Sequence, residues 1–161
     1  MAPILTISAR VALATYVRER TAHLAWGTGD VAWGSNPPAP APSATALVAE
    51  IARRKATLVD YCAPDASGEI SVPEGKFAIS ATPTRNLYFK FHFEFDDGLG
   101  ATIRETAVFL DTVMAAGVPV GQYYLTPAQV AQPGYMLLHE RRAPIVRQPT
   151  TRELFEFVVT F

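Results

Sequence analysis

The stretch Leu87 to Glu105, LYFKFHFEFDDGLGATIRE, holds the residues of this sequence best spaced to do chemistry. His92, Glu94 and Asp96 recur at every second position. An imidazole and two carboxylates could serve as metal ligands or as an acid–base pair. The intervening positions, however, are Leu87, Phe89, Phe91, Phe93 and Phe95. Side chains on a strand alternate between faces, so the apolar set takes one face and Lys90, His92, Glu94 and Asp96 take the other. Neighbours two apart on a strand stand roughly 6.6 Å apart, so a metal would need long side chains and ligands from other strands. The remaining histidines, His23 and His139, come without metal-ligand spacing. The polar set therefore reads as a solvated or subunit-facing strand face. The phenylalanines read as core, contributing about 2–3 kcal/mol each on burial. A small metal-dependent enzyme built on His92 and Glu94 is the rival reading.

Other chemical motifs are weaker still. WGTGD contains Gly27-x-Gly29 but lacks the third glycine and the strand–turn–helix setting of a dinucleotide site. There is no Gly-x-Ser-x-Gly, phosphate-binding loop or His-Glu-x-x-His. Cys62 is the only cysteine, which excludes an intrachain disulfide and a thiolate zinc site and suits a small core residue. Asp96 and Asp97 precede Gly98, a position where aspartate shapes turns. The expectation is a protein with no catalytic residues, no cofactor and no metal.

The whole chain narrows the classes further. Its 161 residues fit one domain, and 49% of them are hydrophobic, enough for a real core. Fourteen basic residues against fifteen acidic ones leave a net charge of −1. That gives no electrostatic route to nucleic acid or to an anionic membrane. The apolar stretch from Ile4 to Val17 is interrupted by Arg10 and reads as neither a signal peptide nor a membrane span. The protein is expected to be soluble, with proteins as partners.

The elements that must position these residues follow from periodicity. Ser8 can cap a first helix whose Val11, Ala14 and Val17 share one side, with Arg18 to Arg20 at its end. Trp26 to Trp33 reads as a short strand or a turn-rich segment, followed by an extended proline loop from Ser35 to Pro42. Ser43 or Thr45 would cap a second helix with Leu47, Val48 and Ile51 as its apolar face and Arg53, Arg54 and Lys55 at its end. From residue 58 onward, LVDYCAP, GEISVP, KFAIS, NLYFKFHFEF, ATIRETAVFL, MLLHER and LFEFVVTF read mostly as strands. The predicted class is α+β: a mainly antiparallel sheet or sandwich with two N-terminal helices. It is read as one domain over residues 1–161, helical over about 8–57 and strand-rich over about 58–161.

Three pieces taken in order carry a resemblance. The first joins the turn at Gly27, Gly29 and Asp30 to Leu47, Glu50 and Arg53; the second is Ile103, Arg104, Glu105, Val108 and Phe109; the third is the closing RELFEFVVTF. Over residues 20 to 161 the chain resembles the N-terminal attachment domain of bacteriophage tail-collar and tail-fibre proteins, and the small tail or baseplate proteins of Mu-like contractile-tailed phages. That family shows a Gly-Asp-Gly-type turn, then a helix, then an aromatic strand. Fibre proteins continue from this domain into a repeat-rich body, whereas this chain closes at Phe161. The resemblance thus implies an attachment domain without a fibre.

The resemblance implies a structural virion protein, assembled in the bacterial cytoplasm. It would dock on the tail or baseplate and join it to fibres or other subunits as a homo-oligomer, with a trimer favoured. Arg104 would need a partner in an apolar setting, and Glu50 is the expected one. Loop residues Trp33, Pro37, Pro38, Tyr123, Tyr124 and Tyr135 are the candidate contacts, tyrosine being enriched at interface cores. The alternative is a receptor- or glycan-binding module that stacks sugars on Trp26, Trp33 and the tyrosines.

Overall fold

The computed structural model describes residues 2–161 and contains one α-helix and twelve strands among them. Helix α1 (Ile7–Arg18) begins two residues earlier than the Ser8 cap predicts. Thr6 is the N-cap, extended at φ −72° and ψ 162°, and its hydroxyl accepts the Ala9 N–H at 3.3 Å. The predicted stripe is correct at Ala14 and Val17, both buried, with Val11 half-buried.

The second predicted helix is a strand. After β1 (Ala22–Gly27) and a short 3₁₀ turn at Val31–Trp33, the chain runs without regular structure to β2 (Glu50–Lys55). Alanine, leucine and arginine favour a helix locally. Here β2 instead pairs with strands on both sides, and that ladder outweighs a propensity worth only tenths of a kcal/mol per residue. The strands predicted beyond residue 58 are all present. They are β3 (Leu58–Pro64), β4 (Ile70–Val72), β5 (Gly75–Ile79), β6 (Asn86–Phe93), β7 (Thr102–Leu110), β11 (Tyr135–Val146) and β12 (Glu153–Thr160). Between β7 and β11 lie three short strands that the sequence reading lacks: β8 (Val113–Met114), β9 (Tyr124–Leu125) and β10 (Val130–Gln132).

The residues gather into two compact units. The first takes the residues up to Arg20, Ala56–Phe91 and Leu154–Phe161; the second takes Thr21–Lys55 and His92–Glu153. In the first, the sheet order is β12-β6-β3-β5-β4, and every pairing with a described register is antiparallel. Its core includes Cys62, Ile70, Phe77 and Tyr88, with Val72 and Val158 packed against it. Phe89, Phe91 and Phe157 stack and edge one another at 6.4 Å. Helix α1 is tied to β3 by Tyr61, whose hydroxyl donates to Thr15 Oγ1 at 2.7 Å, and by Arg18, which pairs with Asp60 at 3.0 Å.

In the second unit the order is β11-β7-β1-β2-β9, again antiparallel, with β10 and β8 as a separate pair. Ala25, Leu47, Ala107 and Phe109 form a core cluster on which Met136 packs. Among the described residues no helix is long and apolar enough to cross a membrane.

Candidate functional site

The opening stretch divides as alternation predicts, with one correction. Leu87, Phe89, Phe91 and Phe93 are fully buried, and His92 and Glu94 lie between them half-exposed. The strand ends at Phe93, however, so Phe95 leaves the apolar face and is 39% exposed. His92 Nδ1 stands 3.7 Å from Glu94 Oε1, and Glu94 Oε2 pairs with the Arg152 guanidinium at 2.8 Å. Asp96 lies exposed on the following turn. Among the described residues no three His, Cys, Asp or Glu side chains gather so as to hold a metal. Burial pushes the Cys62 thiol up to about 11, so at neutral pH it stays protonated and weakly nucleophilic.

The motif residues meet in the second unit as a buried polar framework. Glu105 is fully buried on β7, directly opposite Gly27 on β1. Its Oε1 accepts the Ala49 N–H at 3.0 Å. Arg53 is also buried, yet four of its hydrogen bonds are made. Nε and Nη2 hold Glu50 at 2.6 and 3.0 Å, while Nη1 donates to Thr112 Oγ1 at 2.9 Å and to the Pro133 carbonyl at 2.5 Å. The guanidinium lies 3.8 Å above the Phe109 ring. The partner expected of Glu50 is therefore corrected: it holds Arg53, whereas Arg104 donates to the Thr28 carbonyl at 3.2 Å. The bulge in β2 explains why. Trp26 faces Ala52 but Gly27 faces Glu50, so Ile51 is an extra residue that swings Glu50 onto the face of Arg53.

Gly29 and Asp30 lead into the 3₁₀ turn at Val31–Trp33. Gly29 takes φ +56°, where the Trp33 ring leaves no room for a side chain, and Asp30 Oδ1 caps the 3₁₀ turn by accepting the Ala32 N–H at 2.8 Å. Leu47 and Ile103 are core residues.

A second framework was invisible in the sequence. Asp97 is buried, and its Oδ2 accepts from Arg54 at 2.5 Å and from the Glu94 N–H at 2.7 Å. Arg147, equally buried, donates to the carbonyls of Asp97, Glu94 and Thr151 and pairs with Glu153 at 3.1 Å. A basic residue at the end of a strand gives no sequence signal of such a role.

The candidate contact residues differ in what they offer. Tyr123 and Tyr135 are 51% and 75% exposed. Tyr124 is half-buried, and its hydroxyl accepts the Gly98 N–H at 3.2 Å. Trp33 is half-buried, with the Arg141 guanidinium 4.4 Å from its ring. Arg141 also donates to the carbonyls of Pro38 and Ala39 at 3.3 and 3.5 Å, so the proline loop is tied to β11; Pro37 is half-buried and Pro38 exposed. Trp26 is no sugar platform: it is fully buried and stacked on Phe93 at 3.6 Å. That removes one of the two tryptophans on which the glycan-binding reading stood.

No curated protein matches the chain. The family model described as baseplate wedge 3 tail fiber network component matches residues 1–161. The chain therefore belongs to that family and is a structural component of a phage tail, in its baseplate and tail fibre network.

Proposed function

We propose that the chain is a non-catalytic joint that docks on the baseplate or tail and connects it to fibres or to other baseplate subunits. The observation that carries this reading is the segment from Val113 to Tyr135. Val113, Val120, Tyr123 and Tyr135 are all exposed there, Val120 almost completely. Large apolar residues repeatedly left in water along one segment mark a contact surface. The first unit has an apolar surface of its own in Ile4, Leu5, Ile7, Leu13 and Tyr16. Two such surfaces suit a connector, which must hold a partner on each. As a repeated subunit, a trimer in the simplest case, the joint would turn modest contacts into tight attachment through multivalency.

The test is the paired substitution Tyr123→Ala and Tyr135→Ala in the phage. Both side chains are exposed, so the domain stays folded, and the expected particles lack fibres or an intact baseplate by electron microscopy. Normal particles would sink the assignment of this surface, and absence of the wild-type protein from purified virions would sink the joint itself.

A further inference from the structure

We draw no further inference here: the strongest candidate, the groove between Pro40, Ala41 and Pro42 of the proline loop and Met136, Leu137 and Leu138 at the outer edge of β11, carries none, because nothing in the structure shows what covers it.

Discussion

Glu105 lies against the bare α-carbon of Gly27: a Cβ built at Gly27 would fall 2.5 Å from Glu105 Oε1 and 2.6 Å from its Cγ. The two face each other across β1 and β7, and the space left by the glycine is what lets the buried carboxylate reach the Ala49 N–H. The carboxylate thereby anchors the chain where it leaves the proline loop and enters β2. Gly27→Ala should destabilise the protein by about 1–3 kcal/mol, as overpacking does in a closed site. Combined with Glu105→Ala, which removes the clash, the two costs should sum to less than their separate values. Urea unfolding of the single and double variants checks this; strictly additive losses would show that the contact is relaxed at no cost.

Arg53 and Glu50 form an enclosed ion pair in the second unit, with side-chain exposures of 2% and 18%. Glu50→Ala leaves the guanidinium buried with one fewer partner and should cost about 3–5 kcal/mol, the range for breaking a buried pair. Replacing both residues by apolar ones of similar size, Glu50→Leu with Arg53→Met, should cost less than Glu50→Ala alone. Thermal and denaturant melts of the three variants decide it.

Phe93 stacks on Trp26 with the rings 11° from parallel and is fully buried, while His92 beside it is half-exposed. Phe93→Ala should therefore cost about 3–5 kcal/mol. His92→Ala should stay within about 0.5 kcal/mol of the parent, as a surface substitution does. Equal effects from the two would contradict the division of the strand into two faces.

His23 is buried, and burial first, then Arg53 and Lys55 nearby, lower its pKa from 6.5 to about 4. The folded state thus favours the neutral ring. This preference contributes fully above pH 6.5 and is lost as the pH falls from there through 4. The expected loss of stability over that window is about 3 kcal/mol beyond other groups. His23→Gln should flatten the pH dependence between those limits, measured by denaturant titration at a series of pH values. An unchanged slope would mean that the ring protonates without cost.

Arg141 joins β11 to the proline loop through two carbonyls and the face of Trp33. Deleting Pro37 to Pro42 should therefore lower stability as well as alter the surface. Arg141→Ala should speed amide exchange and proteolysis in residues 34–44 while leaving the strands protected. Arg141→Lys should rescue little, because the ammonium cannot reproduce the planar stacking and forked donors together. Hydrogen exchange resolved by segment would test both statements.

Where local periodicity carries the information, the sequence by itself determined the outcome. Strict alternation at Leu87 to Phe93 set the buried face of β6, and i, i+3 spacing at Ala14 and Val17 set the buried side of α1. Short β-branched and aromatic runs marked β3 to β7, β11 and β12. The motif also named Gly27, Glu50, Arg53 and Glu105, but not who would touch whom. Only the tertiary structure decided that, because each pairing depends on long-range register. The end of the helix expected over Ser43 to Lys55 became β2 once strands were available on both of its sides, and one extra residue at Ile51 placed Glu50 beside Arg53. The burial of Asp97 and Arg147 has the same origin: their charges are tolerated because residues about 40 to 50 positions away supply the partners. A window of local sequence holds no trace of such a distant neighbour, since the energy that selects it exists only after the sheet has closed.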